Sequence, residues 1–227
     1  MKILIIGHGR MGRLVEALAH QAGWTVAGAL DGRNNLGGSA LDRPWPGVDV
    51  AIDFSTGEAV IANLPRLASQ RVNMVIGTTG WQSAEPRLRQ VALDAGVGVV
   101  AAANFSPGVN LFEALVERAG ALFSSADWGA WMHELHHSKK RDAPSGTAVV
   151  LRSALQRGGY DGPIDIASTR AGSIPGTHCL GLDGAYETIT LTHATRDRAT
   201  FAQGALRAAE WVAGKRGWFT MKDVLGL

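Results

Sequence analysis

A short apolar run over residues 2–6 that ends in Gly7-His8-Gly9-Arg10-Met11-Gly12 constrains this chain more than any other stretch. The pattern G-x-G-x-x-G between a strand and a helix lets backbone approach a pyrophosphate, with the positive end of the helix dipole behind it. The context fits. Met11, Leu14, Val15, Leu18 and Ala19 recur at helical spacing, residues 24–30 read as a second strand, and Asp31 stands at its end. That acid lies at the roughly 20-residue spacing where a dinucleotide-binding fold places a carboxylate for the adenine ribose. A glycine-rich turn alone often serves only helix–strand packing, but strand, helix and acid in register favour the dinucleotide. Gly7, Gly9, Arg10, Met11, Gly12 and Asp31 are therefore candidate cofactor ligands. Arg33 and Arg10 are candidates for a 2′-phosphate, which leaves both NADPH and NADH open.

Alternation of strand and helix continues through the first half. Residues 48–54, 72–76 and 97–102 read as strands. Ser55-Thr56-Gly57-Glu58 has the form of a capping box, opening a helix to residue 69 that Pro65 strains, and Ser83 is expected to cap another. Residues 32–47, with four glycines and two prolines, read as a surface loop. Gly77-Thr78-Thr79-Gly80 would let a flat ligand approach the carboxyl end of the sheet. The expected fold class is α/β, a Rossmann-type parallel sheet with helices on both faces.

After a hinge near Asn104 and a helix over 107–123 the pattern changes. Residues 128–136 read as a strand, Gly146 onward as a helix through Leu155, and 164–170, 178–182 and 186–192 as strands. Ile189 and Leu191 alternate with Thr188, Thr190 and Thr192, which suits a sheet packed on helices by one face. This predicts a second α+β domain on a mixed sheet. Residues 201–213 return to helix and 218–225 pack back on the first domain. The expected division is a dinucleotide-binding domain of 1–106 and 199–227 and a substrate-binding and oligomerisation domain of 107–198.

The stretch from Glu134 to Ala148 holds the most chemistry: two adjacent histidines, three consecutive cations, then a break at Asp142, Pro144 and Ser145 and a helix opened from Gly146. Free N–H groups of that first turn, with Lys140 and Arg141 nearby, suit a carboxylate or phosphate. A histidine beside such a site is matched to proton transfer near neutral pH. The plainer reading is a solvated basic turn with a hydrogen-bonded histidine pair. Arg198 could pair bidentately with a carboxylate, whereas for Arg170 solvent exposure and ligand contact are balanced. His133-Glu134-Leu135-His136-His137 also satisfies H-E-x-x-H, but zinc chemistry needs that pattern on a helix, so no metal is expected.

With 227 residues, 46% hydrophobic and 19% charged, the chain reads as globular rather than disordered. A net charge of +2 without a basic stripe argues against nucleic acid. The single Cys179 fits a reducing compartment, and residues 1–6 are too short for a signal peptide. No apolar segment approaches membrane-spanning length, so the expectation is a cytoplasmic protein with no membrane partner.

Several of these motifs together resemble the dihydrodipicolinate reductase family: Gly-Arg-Met-Gly, Asp-Phe-Ser, Gly-Thr-Thr-Gly and Asn-Phe-Ser in order, then His-His-x-x-Lys and Asp-Ala-Pro-Ser-Gly-Thr-Ala. The resemblance implies an NADPH- or NADH-dependent oxidoreductase of diaminopimelate and lysine biosynthesis acting on a cyclic imine dicarboxylate. By position, His136 would donate or accept the proton and Lys140 would be a second donor. His137, Gly146, Thr147 and Arg198 would contact substrate, and Gly77, Thr78, Thr79, Ala102, Ala103, Asn104 and Phe105 would lie near the nicotinamide. It also implies a homotetramer formed through the second sheet. The family's glycine loop usually carries one more residue before Gly-Arg-Met-Gly, and the chain is shorter than typical members, which the 32–47 loop would absorb. A dinucleotide-binding regulator without catalysis would need the first half but not the histidine and lysine cluster.

Overall fold

The computed structural model describes residues 1–124 and 127–227. The chain forms two compact units, one from Met1–Pro107 with Ala199–Leu227 and the other from Gly108–Arg198.

The first unit is built on a parallel sheet. Its strands are β1 (Lys2–Ile6), β2 (Thr25–Leu30), β3 (Val50–Asp53), β4 (Asn73–Ile76) and β5 (Gly98–Ala101), joined at one edge by Gly217–Phe219 from the C-terminal stretch. In space the order is Gly217–Phe219, β5, β4, β3, β1, β2. The chain leaves β1 in one direction to β2 and returns on its other side as β3, and this reversal opens a crevice at the carboxyl ends of the strands. Alternate side chains feed two cores. Ile3, Ile5, Val50 and Ile52 pack beneath α1 (Arg10–Gln21) and the helix Ala199–Val212, while Leu4, Ile6, Ala51 and Met74 pack beneath α2 (Gly57–Ser69) and α3 (Glu85–Ala95). With both faces covered, short continuous apolar strands follow.

Local details differ from the expected ones in instructive ways. Thr56, not Ser55, caps α2 by accepting from the Ala59 N–H, because the Ser55 hydroxyl is drawn instead to Asp53. Ser83 caps nothing: it lies in a 3₁₀ turn, and α3 starts at Glu85 with Pro86 in its first turn. Pro65 costs a helix interior about 3 kcal/mol, yet α2 continues through it. Leu64 and Leu67 are almost fully buried, and each such side chain stabilises by roughly 1.5–3 kcal/mol. The 32–47 segment is more than surface loop. It contains a 3₁₀ turn over Leu36–Leu41, Leu41 is 1% exposed, and the Trp45 ring lies against Gly28 of β2.

In the second unit α4 (Pro107–Phe123) precedes β6 (Gly129–His136), α5 (Gly146–Arg157), β7 (Ile164–Arg170), β8 (Thr177–Asp183) and β9 (Thr188–Ala194). The sheet order is β7-β6-β8-β9, with β6–β7 parallel and the other pairs antiparallel, so the sheet is mixed. Ala130, Met132, Leu180 and Leu182 face α4 and α5, meeting Phe112, Val116, Leu151 and Leu155. Trp131, on the opposite face, lies across Gly181 and is 37% exposed. After α6 (Ala199–Val212) the chain adds β10 (Gly217–Phe219), parallel to β5, and α7 (Met221–Leu225) to the first unit. Among the described residues no helix is long and apolar enough to cross a membrane.

Candidate functional site

In the first unit a cavity of about 420 Å³ opens at the strand reversal, lined by Gly7, His8, Gly9, Asp31, Arg33, Ser55 and Thr56 among others. The glycines that lead into it do different work. Gly7 has φ +88°, and a Cβ there would lie 2.2 Å from the Phe54 carbonyl oxygen. At Gly12 a Cβ would come 2.1 Å from the Gly7 oxygen, so this glycine serves helix–strand packing. Gly9 caps α1 with no side-chain bond, and a Cβ there would meet nothing within 4 Å. The protein itself does not require that glycine; open space beside unpaired helix N–H groups is what an approaching pyrophosphate requires. The residues therefore fit a dinucleotide.

At the end of β2, Asp31 holds Arg33 through side-chain bonds of 2.8 and 3.2 Å and accepts its backbone N–H at 2.9 Å. These bonds keep the Asp31 carboxyl at about 2, well below the usual carboxylate range. The two residues expected at a ribose and at a 2′-phosphate thus stand side by side, neutralising each other. Arg10 is exposed and Met11 packs partly on the core.

The small-residue loops are committed to packing more than expected. Gly77 accommodates the Phe54 ring, and Thr78 is buried with its hydroxyl 2.8 Å from Asp53 Oδ1. Phe105 is 1% exposed and stacks edge-on to Phe54 in the core, so its side chain is unavailable to a cofactor. Thr79 and Ala103 are the exposed members, with Ala102 and Asn104 half-buried. Asp53, the first residue of the Asp-Phe-Ser motif, ties these loops: its Oδ1 also accepts the Ser55 N–H and hydroxyl. Burial raises the Asp53 pKa against those hydrogen bonds.

In the second unit β6 ends at His136 and α5 begins at Gly146, with the predicted turn between them. Residues 129–136 are strand, so His133 and Glu134 project to opposite faces and the helical geometry of the zinc pattern is not met. His133 pairs with Thr169 instead. Period-two alternation puts Glu134 and His136 on the same buried face, where the His136 Nδ1 bonds Glu134 Oε2. Arg170, for which exposure and ligand contact were balanced, is half-buried and turned to protein groups. It grips Glu134 with two bonds of 2.6 and 2.9 Å and donates to the Asp142 carbonyl at 2.6 Å.

Burial would raise the Glu134 pKa, but Arg170, Ser168 and His136 overcome it and hold the carboxyl at about 2. Burial lowers the His136 pKa, with Glu134 opposing and Lys140 and Arg170 assisting. A Cβ at residue 176 would lie 3.1 Å from His136 Nε2, so Gly176 leaves that nitrogen clear.

Ser145, expected only to break the preceding element, is the N-cap of α5. Its Oγ accepts the Ala148 N–H and lies 3.1 Å from His178 Nε2, so only part of that first turn is open to a ligand. Gly146 is exposed with open space beside it, and Thr147 is half-buried. Lys140 is ion-paired to Asp142 at 2.8 Å, Lys139 and Arg141 are exposed, and Arg198 Nη2 reaches His137 Nε2 at 3.5 Å. The second unit therefore gathers His136, His137, Lys140, Arg198 and the α5 start. Arg170 and Glu134 were partly legible from strand periodicity; His178 was not, since its place depends on the β6–β8 register.

Two family models match the chain: "Dihydrodipicolinate reductase, N-terminus" over residues 1–105 and "Dihydrodipicolinate reductase, C-terminus" over 108–225. A 4-hydroxy-tetrahydrodipicolinate reductase of Acidiphilium cryptum is 40% identical over 96% of this chain and 94% of its own length. One from Zymomonas mobilis is 37% identical over 100% and 98%. The dipicolinate-bound dihydrodipicolinate reductase of Paenisporosarcina sp. TG-14 shares the fold with a TM-score of 0.81, at 20% identity over 97% of each chain. Both halves of the chain, the glycine loop with its acid and the histidine and lysine turn alike, fall within these matches, and the chain belongs to the dihydrodipicolinate reductase family.

Proposed function

We propose that the protein is an oxidoreductase that reduces 4-hydroxy-tetrahydrodipicolinate to tetrahydrodipicolinate with NADPH or NADH, in diaminopimelate and lysine biosynthesis. The observation that carries the reading is the cationic turn of the second unit, where an imidazole, a lysine, an arginine and a partly open helix start stand together, a set suited to a dianionic ligand. When bound, the nicotinamide supplies a hydride; the protein must supply the matching proton as water leaves the substrate.

Gly7, Gly9, Arg10, Met11, Gly12, Asp31 and Arg33 would hold the adenosine and pyrophosphate, with Gly9 giving the closest approach. Nearer the nicotinamide, Thr79, Ala102, Ala103 and Asn104 would line the site with the backbone of Gly77, Thr78 and Phe105. His136 handles a proton at Nε2, because its Nδ1 is committed to Glu134. Lys140 exchanges Asp142 for substrate and opposes charge that builds on the ring nitrogen. Backbone N–H groups of Gly146 and Thr147 hold one carboxylate, with the α5 dipole adding to the attraction. His137 and Arg198 meet the other side of the ligand. Positioning of this kind, rather than tight ground-state binding, is what raises turnover.

Two finer readings belong to the same proposal. A cytoplasmic location suits the lone Cys179. A homotetramer joined through the outward face of the second sheet suits the exposed Trp131 there; light scattering at several concentrations checks it.

A coupled assay with enzymatically generated substrate, run with NADH and NADPH, tests the activity. Turnover with either dinucleotide is expected, and His136→Ala should lower kcat by roughly 100-fold or more with cofactor affinity nearly unchanged. Dinucleotide binding without turnover would overturn the reading.

A further inference from the structure

We propose that Glu134, clamped by Arg170, is a positioning residue for the proton step: it fixes His136 in the tautomer that keeps Nε2 for substrate and sets the pH at which that imidazole titrates. The inference rests on the reading of His136 as the proton-handling group.

Glu134 is 1% exposed, and both of its oxygens are hydrogen-bonded. Its Oε1 accepts from Arg170 Nη2 at 2.6 Å and from the Ser145 N–H at 3.2 Å. Its Oε2 accepts from Arg170 Nη1 at 2.9 Å and meets His136 Nδ1. One carboxylate thus joins β6, the end of β7 and the start of α5, the segments that carry the candidate proton group and the substrate-binding N–H groups. An ionised carboxylate only accepts hydrogen bonds. His136 Nδ1 must therefore carry a proton in both charge states, and Nε2 is the nitrogen that gains and loses one. The same logic governs histidines held by a carboxylate in other acid–base sites.

Arg170 has a second effect. Without it, Glu134 would spend its full charge on His136 and hold the imidazolium; with it, the pair is close to neutral. The groups facing His136 are Glu134 on its own strand, Arg170 on β7, His178 on β8 at a ring separation of 5.1 Å, and Lys140 on the following turn. Removing the anion and removing the cation must therefore move the His136 titration in opposite directions. A purely structural tie would not do that.

The experiment is histidine ¹⁵N NMR titration of the wild-type full chain, Glu134→Gln and Arg170→Gln, alongside pH profiles of kcat and kcat/KM. In the wild type the neutral form is expected with the proton on Nδ1; a neutral His136 protonated on Nε2 would overturn the proposal without any variant having to fold. In Glu134→Gln the His136 titration and its kinetic limb should move to lower pH, with kcat at least tenfold down and cofactor Kd within twofold. In Arg170→Gln both should move to higher pH, and Glu134→Asp should recover part of the lost kcat. Shifts of the same sign in the two Gln variants, or none, would overturn it. Normal turnover in His136→Ala would instead sink the proton-step reading while leaving the tautomer assignment standing, so the two failures are distinguishable.

Discussion

Replacing Gly9 and Gly12 with alanine, one at a time, separates what the fold needs from what the cofactor needs. At Gly12 the new Cβ would sit 2.1 Å from the Gly7 carbonyl oxygen, a backbone atom that cannot step aside. Overpacking of that kind costs about 1–3 kcal/mol, more when only backbone can yield. Alanine's better helix propensity returns at most about 1 kcal/mol, so with the clash on backbone in the upper part of that range, about 2–3 kcal/mol, the variant should still lose roughly 1–2 kcal/mol. At 2–4 °C per kcal/mol for a chain of this size, Tm should fall by roughly 2–8 °C.

Gly9 is different. It has φ −83°, which alanine adopts freely, and nothing lies within 4 Å of its Cβ position. Alanine at a helix N-cap loses only about 0.5–1 kcal/mol against glycine. A methyl group standing where the pyrophosphate approaches should nevertheless weaken dinucleotide binding at least tenfold, about 1.4 kcal/mol. Thermal unfolding of the free protein and calorimetric titration with NADPH and NADH measure the two effects. The expected pattern is crossed: Gly12→Ala loses stability, Gly9→Ala loses affinity. A Gly9→Ala protein that binds both dinucleotides normally would refute the assignment of this cavity, and an undiminished Tm in Gly12→Ala would refute the steric argument.

Three other outcomes follow from the geometry. Lys140→Ala should lower kcat and raise the substrate KM, each by about tenfold or more, because an anionic ligand loses its cation; normal kinetics would remove Lys140 from the site. Arg33→Ala should weaken NADPH by roughly tenfold or more and leave NADH unchanged or tighter, since Asp31 is released from its partner; equal losses for both would show that Arg33 does not meet a 2′-phosphate. His178 is buried with its pKa lowered to about 4, chiefly by burial and then by the nearby His136. An unfolded histidine, near 6.5, takes up a proton sooner, so stability should decline as pH falls from about 6.5 to 4. Glu134, held at about 2 against an ordinary carboxylate value of 4.5, adds a further loss as pH falls below about 4.5. Urea unfolding at stepped pH reads both, and His178→Gln should flatten the upper part of the decline; an unaltered curve would contradict the assignment.

What the sequence determined by itself was whatever depends on local period and spacing. Strand, glycine turn, helix and acid appear within the first 31 residues because each is specified by neighbours a few positions away. Period-two alternation in β6 and the helix start at Gly146 were legible for the same reason. Tertiary structure alone decided the rest. Thr78 turns inward onto Asp53, and Arg170 spends its charge on the buried Glu134. Register across β6, β7 and β8 brings Glu134, Arg170 and His178 together from positions far apart in the chain. The physical reason is common to all of these. A buried polar group must find partners or pay several kcal/mol, and which partners are within reach is settled only when distant strands have paired.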